Sequence, residues 1–210
     1  MIRNIVFDMG NVLVVFDPQY FMDLEGINDK DDRLLVYREV FHSIEWAQMD
    51  LGVLTEETAE PLILERIPER LRDSVKHLLS HWWEKRTCVP GMEELLRRLK
   101  DAGYRLYLLS NASILQHQYW PTFPVSRLFD GKLISCDYGI IKPNPEIYQL
   151  FIRKFGLNEK ETLFVDDLPA NVAAAVQCGW QGIVFQGEAN ELARKMELYG
   201  ILTNAEQLDR

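Results

Sequence analysis

IRNIVFD, residues 2–8, is a short apolar run that breaks off at an acid, Asp8. Two later runs end in the same way. YRLYLLS (104–110) stops at Ser110, and TLFVDD (162–167) stops at Asp166 and Asp167. Runs of this length, rich in Val, Ile, Leu and aromatics and separated by helix-like stretches, read as parallel strands of an α/β sheet. Ligands of such sheets collect outside the carboxyl ends of the strands, where strand order reverses. Three acids and a hydroxyl at three strand ends therefore suggest one convergent site.

Beyond the first run, residues 12–16 (VLVVF) form a short apolar flap. Asp17–Pro18 then opens a helix, with Asp as N-cap and Pro at the first helical position. From there to about residue 88 the pattern is helical: 31–41, 56–66 and 69–85 carry apolar residues at helical spacing, punctuated by Gly26, Gly52 and Pro68. No strand-like run interrupts this stretch, so it stands outside the sheet. The β/α alternation resumes at Val89. Pro90–Gly91 begins a helix that stops at Gly103, and strand 104–110 follows. Next come a helix near 113–119, a short strand at 132–137, a helix over 145–155 and strand 162–167. A helix over 169–178, a strand at 182–186 and a final helix over 188–199 complete the pattern. The expected class is α/β, a doubly wound parallel sheet. Residues 1–16 and 89–210 form the Rossmann-like core, and 17–88 an inserted all-helical module.

With 210 residues, 47% of them hydrophobic, the chain can bury a full core plus a sizeable insertion. A formal net charge of −9 argues against a nucleic-acid or anionic-membrane surface. No apolar stretch approaches the roughly 18 residues that cross a bilayer. The amino terminus enters a strand almost at once, so no signal peptide is expected and the location implied is cytoplasmic. Cys88, Cys136 and Cys178 are odd in number and widely spaced, as befits reduced core thiols. No glycine-rich dinucleotide or P-loop motif is present, so neither NAD nor ATP is implied. His42, His77, His81 and His117 show no ligand spacing with one another and receive no role. Trp46, Trp82 and Trp83 read as packing residues of the helical module, although Trp46 and Asp50 could instead reach the mouth of the pocket.

Met9, Gly10 and Asn11 follow Asp8, so the chain bends sharply as it leaves the strand. Such a bend exposes a carboxylate and lets a nearby backbone carbonyl face the same point. Asp166 and Asp167 supply two more carboxylates. Carboxylates, a carbonyl and water suit Mg²⁺. A helix cap would account for Asp167 alone, but caps do not explain acids on two strands. The Ser110 hydroxyl and the amides that follow could hold a phosphoryl oxygen, whereas Ser113 fits a plain N-cap. Lys142 lies in KPNP (142–145), where two prolines restrict the backbone and make a rigid platform for an ammonium that neutralises phosphate. Taken alone, a surface lysine would be the commoner reading of that residue.

The order Asp, Ser, Lys, Asp-Asp, each at a loop after a sheet element, resembles the haloacid dehalogenase superfamily of aspartate-nucleophile phosphohydrolases. The resemblance runs through FDMGNVL, LLSNAS, KPNPEIY and VDDLPANVAAAVQCGW, and EWAQMDLGVLT resembles the cap modules of that superfamily. The bacterial branch related to α-glucose-1-phosphate phosphatase is the most similar, and the phosphatase domain of soluble epoxide hydrolases looks more distant. The resemblance implies that Asp8 is the nucleophile and forms an aspartyl-phosphate. Mg²⁺ would be held by Asp8, the carbonyl of Gly10 and Asp166, with Asp167 assisting through water or by positioning Lys142. Ser110 and the Asn111 amide would bind the transferring phosphoryl group, with Lys142 neutralising its charge. The implied activity is a Mg²⁺-dependent phosphatase of small phosphorylated metabolites, sugar phosphates among them, working as a monomer or weak homodimer.

One position departs from the pattern. Active phosphatases of the superfamily usually carry a second aspartate two residues after the nucleophile, and here that residue is Gly10. Losing a general acid–base costs roughly 10²–10⁴ in rate. Some members of the similar branch also have glycine there, so the reading stays with an enzyme that has a good leaving group or another proton carrier. Asn11 does not titrate, and Asp17 would serve only if the flap folded back. The alternative is a phosphometabolite-binding or regulatory protein with little turnover. A metal-free dehalogenase has no need of Asp166–Asp167 or of the lysine, and a response-regulator receiver uses a different chain order.

Overall fold

The structure, a computed structural model, describes residues 1–202. Five parallel strands form one sheet: β1 (Asn4–Phe7), β2 (Arg105–Ser110), β3 (Gly131–Ile134), β4 (Thr162–Asp166) and β5 (Gln181–Val184), in the order β3-β2-β1-β4-β5. The chain runs from β1 through β2 to β3 on one side, then crosses to β4 and β5 on the other. Strand order therefore reverses at the carboxyl edge of β1 beside β4.

Side chains alternate between the two faces of the strands. Ile5 and Phe7 join Leu106, Leu108, Leu163 and Val165 in one buried cluster, while Val6 joins Tyr107, Leu109 and Phe164 in another. Helix α6 (Met92–Asp101) covers the first face. It buries Met92, Leu95, Leu96 and Leu99, the i, i+3, i+4, i+7 spacing of a single helical stripe. Helix α10 (Ala189–Glu197) packs there too, through Leu192 and Met196. The second face is covered by α8 (Pro145–Phe155) and α9 (Pro169–Gln177). Proline stands at the first turn of both helices, where its missing N–H costs no hydrogen bond.

The insert after β1 holds α1 (Pro18–Leu24), α2 (Lys30–Val36, prolonged by a π turn, Tyr37–Phe41), α3 (Ile44–Asp50), α4 (Glu56–Leu64) and α5 (Arg72–His81). It has a core of its own, centred on Phe21, Met22, Val36, Val40, Ile63, Val75 and Leu78. Asp17 caps α1 as the sequence implies, accepting from the amides of Gln19 and Tyr20. Thr55 and Thr58 cap α4 reciprocally.

Three details differ from the sequence expectation. Helix α3 was hidden between two better-marked segments, and Ser43 is its N-cap. The helix near 113–119 shrinks to α7 (Gln116–Tyr119), because residues 111–113 stay irregular at the end of β2. The strand at 132–137 stops at Ile134 and turns into a 3₁₀ segment, Ser135–Asp137. Ser135 accounts for that stop: its hydroxyl donates to the carbonyl of Asp50 at 2.5 Å and accepts from the amide of Ala112 at 3.0 Å. A side chain bonded in both directions ends the ladder and ties the insert to the core.

Candidate active site

The three strand ends converge as expected. Asp8 leaves β1 with its amide donating to Val165 O at 2.8 Å, which fixes it beside the end of β4. Ser110 closes β2 and Asp166 closes β4, both of them buried. Lys142 reaches in from the loop before α8. It is no surface lysine: its side chain is 1% exposed, and Nζ donates to Asp8 Oδ1 at 2.7 Å, Asp166 Oδ2 at 2.7 Å and Leu109 O at 3.1 Å. Asn111 holds that loop from both sides, accepting from the Lys142 amide at 2.8 Å and donating to its carbonyl at 2.9 Å. A buried ammonium between two carboxylates is tolerable only because its charge is matched and each of its three N–H groups has an acceptor.

The acidic pair divides its work. Asp166 is fully buried, and both its oxygens are engaged: Oδ1 accepts from the Leu168 amide and Asn171, and Oδ2 accepts from Lys142 and Asn171. Asp167 receives one long bond, from Asn11 Nδ2 at 3.4 Å, and lines the cavity. Asp166 is therefore the residue of the pair that holds Lys142, which the sequence reading offers as one of two alternatives for Asp167. Seen in sequence, adjacent acids are interchangeable; strand alternation sends one inward and the other to the pocket.

Electrostatics follow from burial. Desolvation pushes the Asp8 carboxyl up to about 7, opposed by the Lys142 ammonium and helped by the charge of Asp166. Burial disfavours the charge on Lys142, but Asp8 and Asp166 outweigh it and hold its ammonium above the ordinary value. Burial and Asp166 also raise Asp167. Asp8, Asp166 and Asp167 each bring a carboxylate oxygen within 4.8 Å of the other two.

A cavity of about 450 Å³ opens above these groups. Its floor includes Asp8, Gly10, Ser110, Asn111, Lys142 and Asp167, so six of the seven sequence-expected residues meet there and Asp166 stands directly behind. Its roof comes from the insert. Trp46 and Asp50 do reach the pocket, and Trp82 lines it while also packing on Phe16 at 5.1 Å. Trp83 stays with the core, stacked on Tyr119 at 5.8 Å. Burial pushes the Asp50 carboxyl up to about 7, against the pull of Lys142.

Sequence reasoning missed Phe16, His42, Glu56, Arg86 and Tyr119, all of which line the cavity. Arg86 lies 3.8 Å above the Tyr119 ring, and burial lowers it to about 10, leaving it charged at neutral pH. No spacing rule links these five positions, because they come from separate loops and helix ends. A second cluster, His117, Cys136 and Asp137, brings ligand atoms within 4.8 Å, although Lys132 Nζ already occupies the His117 ring at 3.3 Å.

Comparison with known proteins places the chain among hydrolases. D-ribitol-5-phosphate phosphatase of Bacteroides thetaiotaomicron is 29% identical over 221 residues, covering 97% of this chain and 100% of that one. Flavin mononucleotide hydrolase 1 of Arabidopsis thaliana is 24% identical over 212 residues, covering 97% of this chain and 80% of the relative. Among solved structures, a HAD family enzyme of B. thetaiotaomicron in complex with magnesium and inorganic phosphate superposes with a TM-score of 0.69 at 23% identity, covering 91% of this chain and 99% of that chain. The family model of haloacid dehalogenase-like hydrolases matches residues 2–179, and this chain belongs to that family of hydrolases.

Proposed function

We propose that the protein is a magnesium-dependent phosphatase of small phosphorylated metabolites, working through an aspartyl-phosphate on Asp8. The observation that carries this reading is the Asp8–Lys142–Asp166 arrangement at the switch point of the sheet, open to a 450 Å³ cavity. The named activities of the ribitol-phosphate and flavin-mononucleotide relatives support it, as does the magnesium and phosphate complex of the structural neighbour.

The donor set fits a hard divalent cation. It consists of carboxylates, with neither thiolate nor imidazole among the three clustered acids. Asp8, the Gly10 carbonyl and Asp167 would hold the ion, with Asp166 behind them on Lys142 and Asn171. When bound, the ion supplies charge neutralisation to the transferring phosphoryl group.

The residues of the chain do the rest. Asp8 attacks phosphorus in line with the leaving oxygen, and the P–O bond to the alcohol breaks as the Asp8–phosphoryl bond forms. Ser110 and the main chain of Asn111 receive phosphoryl oxygens. Lys142 keeps Asp8 oriented, and its fixed charge needs no reorganisation as negative charge develops. Residues 17–88 act as a cap whose Trp46, Trp82 and Asp50 form the roof, so the leaving group is read by the insert. In this account specificity resides in the roof and chemistry in the floor.

Hydrolysis of a broad panel of phosphorylated metabolites, with and without Mg²⁺, tests the proposal. Release of phosphate from at least one small monoester, abolished by chelation, is expected. If nothing in the panel is hydrolysed while a member still binds and raises the melting temperature, the protein is a phosphometabolite-binding member of the family. Gly10 is the feature that favours that second reading.

A further inference from the structure

The reaction proposed above needs a proton for the departing alkoxide and later a base for the attacking water. Gly10 supplies neither. Four carboxylates line the cavity: Asp8, Asp50, Glu56 and Asp167. Asp8 is the nucleophile, and Asp167 belongs with the metal. Glu56 accepts a short hydrogen bond from the Ser113 hydroxyl. Asp17, the other candidate near the flap, is spent as the cap of α1, accepting at 2.9 and 3.3 Å from the Gln19 and Tyr20 amides. His42 sits exposed at the rim, its ring 4.3 Å from that of Tyr37. Asp50 is what remains, and among the described residues no side chain or amide hydrogen-bonds to its carboxyl.

Its backbone, by contrast, is held tightly. Asp50 ends α3, and its carbonyl accepts from Ser135 at 2.5 Å; the same hydroxyl accepts from Ala112, two residues past Ser110. Two residues on, Gly52 has φ +70°, and a Cβ there would stand 2.2 Å from the carbonyl oxygen of Cys136. The two backbones therefore meet without intervening side chains. These contacts seat the loop against the phosphoryl-binding turn and leave a free carboxyl over the floor.

We propose that Asp50, delivered by the insert, is the general acid–base that replaces the aspartate missing at Gly10. The proposal rests on the phosphatase reading. In the first step Asp8 attacks phosphorus, the P–OR bond breaks, and the leaving oxygen takes the proton of Asp50 to become ROH. In the second step the Asp50 carboxylate takes a proton from water, the hydroxide attacks phosphorus, the Asp8–O–P bond breaks, and phosphate departs with Asp50 protonated again. The charged and titratable groups facing Asp50 are Lys142 and Asp8 from the core, Glu56 from α4, Tyr119 from α7 and Cys136 after β3. Burial outweighs Lys142 among them and holds the carboxyl up to about 7, where it can both give and take a proton.

The test uses the Mg²⁺-loaded enzyme, aryl and alkyl phosphate monoesters of graded leaving-group pKa, and rapid mixing between pH 5 and 9. Wild-type rates should depend only weakly on leaving-group pKa and fall on the alkaline side. Asp50→Asn should keep the burst of phenolate from a good aryl ester, lose the alkaline limb, and turn over alkyl esters roughly 10²–10⁴-fold more slowly. Asp50→Glu should recover part of that loss, which a packing role would not produce. A steep leaving-group dependence in the wild type overturns the assignment whether or not the variant folds. So does an Asp50→Asn enzyme with an unchanged pH profile. If wild type and Asp8→Asn are equally inert on every ester, the phosphatase reading fails and this assignment fails with it.

Discussion

The floor and the roof of the cavity are built on opposite principles. On the floor the charges of Asp8, Lys142 and Asp166 are committed to one another before any ligand arrives: Lys142 bridges Asp8 and Asp166, Asn171 holds Asp166, and Asn111 clamps the backbone of Lys142. On the roof it is the backbone that is fixed, through Ser135 and Gly52, while the Asp50 carboxyl is left unpaired. Groups that orient a phosphoryl transfer gain from preorganisation, because no reorganisation is needed as charge moves. A group that must give and take a proton gains from being unpaired and poised.

The largest effect in activity should come from the floor. Asp8→Asn is nearly isosteric and leaves Lys142 paired with Asp166, so the fold should persist while turnover falls by on the order of 10⁴ or more. Steady-state assays beside a thermal melt would check both halves. Normal activity in that variant would remove Asp8 from the reaction.

Lys142→Met should produce the largest loss of stability. It leaves the Asp8 and Asp166 carboxylates facing one another without their ammonium, and stranding buried charge costs about 3–5 kcal/mol. Added Mg²⁺ should recover part of the lost melting temperature by replacing the positive charge. A variant as stable as wild type without metal would show that the floor is not held by this pairing.

Gly52 and Gly26 sharpen the comparison, since both have φ +70° but only Gly52 sits against another backbone. Gly26→Ala should cost about 1 kcal/mol, the conformational penalty alone. Gly52→Ala adds the clash with Cys136, so it should cost roughly 1–3 kcal/mol more and slow turnover by moving Asp50. Equal melting temperatures for the two variants would mean that the loop is not seated on the core.

A further effect is one of pH. Asp50 holds its proton up to about 7 in the folded chain, against an ordinary value of 3.8. Between those values the folded state binds more protons than the unfolded state, so its stability falls as pH rises through the window. Asparagine cannot ionise. The melting temperature of Asp50→Asn relative to wild type should therefore be higher at pH 8 than at pH 5, and a constant offset would contradict the poised carboxyl.

The same division decides what the sequence made legible. The floor could be read because its charged and hydroxyl residues end apolar runs or sit in a proline-stiffened loop, and strand ends in a parallel sheet converge by topology. Asp8, Ser110, Lys142 and Asp166 needed that rule and the family resemblance that their order carries. The roof could not be read in that way. Asp50 is the last residue of a helix that the sequence scarcely marked, and Arg86 and Tyr119 come from unrelated segments. Nothing in one-dimensional spacing records how a helical insert settles on a sheet. Even on the floor, which of Asp166 and Asp167 meets Lys142 depends on which face each side chain takes at the end of β4. Gly10 is a similar case. Its φ lies outside the left-handed region, and a Cβ would come no nearer than 4.0 Å, to Phe16, so the backbone does not require glycine there.

The central claim is that phosphoryl groups pass through Asp8. Acid-quenching the Mg²⁺-loaded enzyme within milliseconds of mixing with a phosphate-labelled aryl ester, then locating the label by peptide mass spectrometry, tests it directly. A labile acyl phosphate on Asp8 is expected, accumulating further in Asp50→Asn because water activation is lost. Turnover with no label on the protein, or a label on any other residue, would contradict it.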